Sequence, residues 1–167
     1  MMKRTHLLGL IACTLIGAQP FPAAARDSLG IFESWGAFRD PTVPRCYAIA
    51  EPARGSRRAG WQAFASVATW PRQGVRGQLH IRLSQSRRTG SAVSLSIGEQ
   101  HFALVAGNAD AWAPDKRVDA AIIAAMRSGT SMSVQTVANS GRGFADVYAL
   151  RGAATAIDAA ALGCARR

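Results

Sequence analysis

Gln78-Leu79-His80-Ile81-Arg82-Leu83-Ser84 decides the fold class. Leu79, Ile81 and Leu83 alternate with Gln78, His80, Arg82 and Ser84, a period of two that belongs to a strand with one buried face. Val93, Leu95 and Ile97 alternate with Ser94 and Ser96 in the same way, and Phe102 and Leu104 continue the pattern. Working outward, Ile31–Phe38, Cys46–Ala50, Gln62–Trp70, Met132–Ala138 and Phe144–Leu150 read as further strands. Strands spaced about ten residues apart suggest a sandwich or barrel. The expected fold is mainly β: an antiparallel, β-sandwich-like single domain over residues 26–167.

Turn chemistry supports that reading. Arg87-Arg88-Thr89-Gly90 separates the first two clear strands and Gly98-Glu99 the next two. Short connections favour antiparallel neighbours. Two short helices interrupt the strands, at about 115–127 and 153–162. The first places Val118, Ala121, Ile122, Ala125 and Met126 at helical spacing, starts at Pro114-Asp115 and stops at Gly129. The second is rich in alanine, the best helix former, and Gly163 suits its cap. The Gly-, Ser- and Arg-rich segment 54–60 reads as a loop.

The N-terminus reads as a targeting segment. Lys3 and Arg4 precede an apolar run from Leu7 to Ala18, and Ala23-Ala24-Ala25 has the small-residue pattern of a cleavage site. The run is shorter than the roughly 20 residues a spanning helix needs. Residues 1–25 are therefore expected to be a signal peptide, and the mature protein periplasmic or secreted, with no transmembrane segment. Leu10-Ile11-Ala12-Cys13 resembles a lipoprotein processing site, but the apolar run continues past Cys13, so a lipid anchor there is the lesser expectation. The cysteines left after the leader are Cys46 and Cys164, and in an exported chain two cysteines suggest one disulfide.

The 167-residue chain carries a formal net charge of +10, which becomes +8 when Lys3 and Arg4 are set aside with the leader. Nearly all of the positive charge is arginine. Such a balance favours encounters with anions such as lipopolysaccharide, phospholipid headgroups or acidic protein. Arg57-Arg58 and Arg87-Arg88 fall in predicted loops and form a candidate anion-binding patch; solvated loop charge is the plainer reading of both pairs. Neither is interleaved with aromatic residues, so no specific nucleic-acid site is expected.

Catalytic signatures are missing: no nucleophile elbow, no His-Glu-x-x-His, no Cys-x-x-Cys and no phosphate-binding loop. No cofactor and no metal set are expected. His80 and His101 could share a metal or act as acid and base, but surface histidines are the simpler reading, with Arg82 beside His80 opposing a cation. Asp146 interrupts the apolar row of Phe144, Tyr148 and Leu150, and a carboxylate there needs a partner. A salt bridge or an edge position explains it more simply than a pocket. Trp35, Trp61, Trp70 and Trp112 are either core residues or the lining of a groove.

Three segments together resemble a known family. Ser34-Trp35-Gly36-Ala37-Phe38 is followed by Pro44-Arg45-Cys46-Tyr47-Ala48-Ile49-Ala50, and the tail reads Tyr148-Ala149-Leu150-Arg151-Gly152-Ala153-Ala154-Thr155-Ala156-Ile157. With the helix ending at Ser128-Gly129, this order resembles the invasion-associated locus B family of exported α-proteobacterial proteins. The resemblance implies a β-sandwich-like exported protein without a known catalytic centre. Its founding member is associated with bacterial entry into red blood cells. Family members often carry a second cysteine pair before the first helix, whereas Leu104–Asp110 here has none, which puts any role of a second disulfide in doubt. The functional expectation is a non-enzymatic envelope or interaction protein, with anionic components or another protein as partner. The alternative is a periplasmic hydrolase with a site around His80, His101 and Asp146.

Overall fold

Leu79, Ile81 and Leu83 are fully buried, while His80 and Arg82 between them stay partly exposed. Val93, Leu95 and Ile97 are buried in the same alternation. Each such aliphatic side chain contributes roughly 1.5–3 kcal/mol on full burial. The computed structural model describes residues 26–53 and 60–165. In chain order it holds β1 (Asp27–Phe32), β2 (Trp35–Asp40), β3 (Arg45–Ala50), β4 (Phe64–Trp70), β5 (Val75–Arg82), β6 (Val93–Ile97), β7 (Gln100–Ala106), β8 (Asp110–Trp112), α1 (Lys116–Ser128), β9 (Ser131–Val137), β10 (Gly143–Ala149) and α2 (Ala153–Ala165). The fold is mainly antiparallel β, one domain with two helices. The leader and Cys13 lie outside the described residues, as do Arg57 and Arg58.

The strands form one sheet in the order β1-β2-β3-β4-β5-β8-β7-β6-β9-β10. β7 turns the corner, pairing with β6 through Gln100–Leu104 and with β8 through Val105 and Ala106. The two layers are thus parts of one sheet that curls until its last strand meets its early ones. The Trp35 indole N–H donates to the Ala149 carbonyl at 2.8 Å, and the Ala53 N–H to the Val147 carbonyl at 2.8 Å.

Register places Ala37, Cys46, Ala48, Ala50, Ala65 and Val67 on the inner face of β2–β4. Helix α2 packs there through Ala153, Ala156, Ile157 and Ala160. Small side chains on both sides let the helix lie close to the sheet. Gly163 belongs to this helix and does not cap it, which corrects the expected end at 162. A Cβ at Gly163 would come within 2.5 Å of the Leu29 side chain, so the helix passes close against β1 there and a larger residue would make Leu29 shift. Helix α1 starts as its sequence indicates: the Asp115 carboxylate accepts from the Arg117 and Val118 N–H groups. Its Asp119 accepts the Leu79 N–H at 2.8 Å and so ties α1 to β5.

Three expectations need correction. Ile31–Phe38 is not one strand but parts of two, joined by a tight turn at Glu33-Ser34 that pairs Phe32 with Trp35. Glu33 takes a left-handed φ of 54°, which a glycine or asparagine would normally supply. The turn is held from outside, by Ser34 donating to the Arg151 carbonyl and by Gly152, where any Cβ would collide with the Phe32 carbonyl. Second, β5 and β6 are not neighbours. Residues 83–92 cross from one half of the sheet to the other, with Leu83 N–H donating to Ala109 and Arg87 bridging Ala138. Third, the short strand β8 fills the place beside β5. The two-residue turn at Gly98-Glu99 joins β6 to β7 as expected.

Candidate functional site: an arginine cleft beside the disulfide

Cys46 and Cys164 are joined, with Cα atoms 5.8 Å apart and a sequence separation of 118. The bond fixes the last turn of α2 to β3 at one end of the domain. Arginines gather around it. Arg39 lies next to the last residue of β2, Arg45 opens β3, and Arg72 stands in the short 3-10 turn Pro71–Gln73 that joins β4 to β5. Together with Asp40, Pro44, Pro71 and Cys164 they line a hollow of ≈ 330 Å³. A second hollow of ≈ 380 Å³ shares Pro71 and Cys164 with the first and adds Arg76.

The acids near this end are largely committed. Asp27 bonds Arg39, Nε to Oδ2 at 2.9 Å. Asp40 Oδ1 accepts from the Thr42 hydroxyl at 2.8 Å and from the Thr42 and Val43 N–H groups. The Thr42 hydroxyl bond, more than any other contact, holds the Asp40 carboxyl below the usual carboxylate range. Its other oxygen lies 3.7 Å from Arg45 Nε, beyond hydrogen-bond reach. Arg72 and Arg76 make no ion pair among the described residues.

Arg45 is held flat by aromatic rings. Its guanidinium carbon sits 4.9 Å from the Tyr47 ring centroid and 5.3 Å from that of Trp70. Arg45 Nε and Trp70 Nε1 are both buried without a hydrogen-bond partner. Such a stack fixes the planar fork in one orientation, which is what bidentate recognition of an oxyanion needs.

Polar side chains also stack on aromatic rings across the outer sheet face. Arg82 lies 5.1 Å over Trp61, and His80 stacks on Trp112 at 5.3 Å with Phe64 edge-on. Asp110 joins them, accepting from Arg82 at 2.6 Å and bonding His80 Nε2 at 2.9 Å. Trp35 alone of the four tryptophans is fully buried core; Trp61, Trp70 and Trp112 are half-buried on this face.

The other sequence candidates fall elsewhere. Arg87 is spent inside the fold, its guanidinium donating to the carbonyls of Gly107, Ala106, Ser91 and Arg88. Arg88 is exposed, with a long contact to Ser91. The patch expected from Arg57, Arg58, Arg87 and Arg88 therefore loses Arg87 to a structural clamp. His80, His101 and Asp146 do not converge. His80 bonds Asp110, His101 bonds Ser96 at the β6–β7 hairpin, and Asp146 is fully buried on the inner face of β10. Asp146 has no arginine partner and, although β10 ends the strand order, does not face water: its Oδ2 accepts the Ser84 N–H at 2.8 Å. Burial pushes its carboxyl up, against the pull of that bond, and pushes the Tyr148 phenol up as well. Among the described residues no three histidine, cysteine or acidic side chains sit as a metal set would, and no helix is long and apolar enough to cross a membrane.

The arginine cleft was missed because its parts come from three separate places in the chain. Pro-Arg-Cys at 44–46 was the available sign, since an arginine next to a paired cysteine must lie near the partner helix.

Comparisons with known proteins agree with this architecture. The family model described as invasion associated locus B (IalB) protein matches residues 41–161. The chain is also similar to a crystal structure of invasion associated protein B from Bartonella henselae. That likeness has a TM-score of 0.59 at 16% identity, covering 80% of this chain and 96% of that one, and it shows a shared fold. No curated protein matches the chain.

Proposed function

This chain belongs to the invasion associated locus B family, and from that footing we propose that it is an exported, non-enzymatic interaction protein whose arginine cleft contacts an anionic envelope or host component. The observation that carries the reading is the gathering of four arginines around Cys164 against two acids: Arg39 pairs with Asp27 and Arg45 lies 3.7 Å from Asp40, while Arg72 and Arg76 make no ion pair among the described residues. The leader-like residues 1–25, the disulfide and the net charge of +10 support export and an anionic partner. The invasion role belongs to the relatives that carry the name; what passes to this chain is the expectation of a contact protein.

The test is cosedimentation of the purified protein with vesicles of phosphatidylcholine, with and without phosphatidylglycerol. Binding should require the anionic lipid and weaken steeply as salt rises, because released counterions and screening both oppose it. Arg72→Ala and Arg76→Ala together should cut that binding several-fold, while Arg88→Ala should leave it unchanged. Equal binding to both vesicles, or binding indifferent to salt, would overturn the reading.

A further inference from the structure

The two hollows beside the disulfide differ in chemistry, and the difference names a ligand class. The first is net cationic, with three arginines, Arg39, Arg45 and Arg72, against one acid, Asp40, in its lining. The second is mainly apolar, lined by Val75, Ala161, Leu162 and Ala165 among others. They share Pro71 and Cys164, so they adjoin. Leu162 is 60% exposed although it lines the apolar hollow, an arrangement that leaves a large aliphatic side chain in water when the hollow is empty.

A small anion would use the first hollow and gain nothing from the second. A purely apolar ligand would leave Arg72, which lines the first hollow and makes no ion pair among the described residues, without a counter-charge. We infer that the cleft takes an anionic amphiphile, with a phosphate monoester head among Arg39, Arg45 and Arg72 and the first methylenes of an alkyl chain against Val75, Ala161 and Leu162. This rests on the anion-binding reading above and adds a second, apolar requirement to it. The stacked Arg45 supplies a fixed fork for two phosphate oxygens, and Arg72, free of any acid among the described residues, supplies a second charge. The disulfide floors both hollows through Cys164 and keeps them in register.

The experiment is calorimetric titration of the purified protein with inorganic phosphate, a series of monoalkyl phosphates from butyl to decyl, and decanol. Affinity should rise about fourfold for each methylene the hollow buries, then level off once it is full. Inorganic phosphate and decanol should each bind much more weakly than octyl phosphate. Arg72→Ala should weaken every phosphate by a similar factor, whereas Leu162→Ser, at an exposed position, should flatten the chain-length series and leave inorganic phosphate unchanged. Affinity independent of chain length would overturn the inference while leaving the anion-binding function standing. Failure of all alkyl phosphates, with salt-sensitive vesicle binding retained, would place the anion contact elsewhere. Selective binding of an acidic peptide in their stead would replace the lipid-like ligand with a protein one. Loss of both vesicle and phosphate binding would sink the functional reading with it.

Discussion

The two ends of this domain are tied in opposite ways. At the disulfide end, a covalent bond joins β3 to α2, and Arg72 and Arg76 beside it make no ion pair among the described residues. At the other end, where residues 83–92 cross between the halves of the sheet, no cysteine is present and an arginine does the tying. Arg87 donates to backbone carbonyls on β7, on the loop after it and on its own segment, and Asp146 accepts the Ser84 N–H from inside. An arginine that serves several backbone carbonyls at once is withdrawn from partners; Arg72 and Arg76 beside the disulfide have no such duty. The comparison separates structural from available charge in a protein with 20 lysines and arginines, where counting alone cannot.

Breaking each tie should sharpen the contrast. Replacing Cys46 and Cys164 together by serine should have the largest effect, a loss of about 3–5 kcal/mol of unfolding free energy, since the bond closes a loop spanning 118 positions. Urea unfolding under oxidising and reducing conditions measures it; a reduced wild type as stable as the oxidised one would contradict the prediction. Arg87→Ala should cost about 2–3 kcal/mol, because several carbonyls lose a charged donor at once, and should leave salt-sensitive vesicle binding unaffected when measured well below the unfolding midpoint.

Asp146→Asn should act in the opposite direction. The folded carboxyl titrates above its ordinary value of 3.8 because burial disfavours its charge. The folded state therefore holds a proton that the unfolded chain releases first. Stability from this group is constant at pH below the unfolded value, falls as pH rises through the interval between the two, and is flat above the folded value. The Asn variant should lack that fall and be more stable than wild type at pH 8, by on the order of 1–2 kcal/mol, as read from urea midpoints at pH 4 and pH 8. Asp119, raised by burial in the same direction, will leave a smaller residual slope. The smallest stability change belongs to Arg72→Ala, within about 0.5 kcal/mol because the side chain is exposed, although its effect on binding should be among the clearest.

The sequence carried the parts of the fold that are local. Alternation marked β5, β6 and β7, Asp115 and Gly129 bounded α1, and two cysteines in a chain with a leader-like start pointed to their bond. The resemblance drawn from Ser34–Phe38, Pro44–Ala50 and Tyr148–Ile157 is confirmed by the family match over 41–161. What escaped was decided at a distance. Glu33-Ser34 turns without turn chemistry because Gly152 and the Arg151 carbonyl receive it from the far end of the chain. β5 and β6 look like a hairpin, yet a crossing segment anchored by Ala109, Ala138 and Asp146 parts them. Gly163 has the identity of a cap and the task of a contact. The tryptophans could be counted but not sorted, since the side chain each half-buried ring packs against comes from a different element.

The seating of the first hairpin on residues 149–152 also sets an order of assembly. The Trp35 indole, the Ser34 hydroxyl and the Phe32 carbonyl all wait for groups near the end of the chain, and β1–β4 receive their inner cover only from α2. A nascent polypeptide emerging N-terminus first has no complete core to close until its final helix arrives. The contacts that complete the inner face of β1–β4 therefore become available only after residues 149–165 have been made.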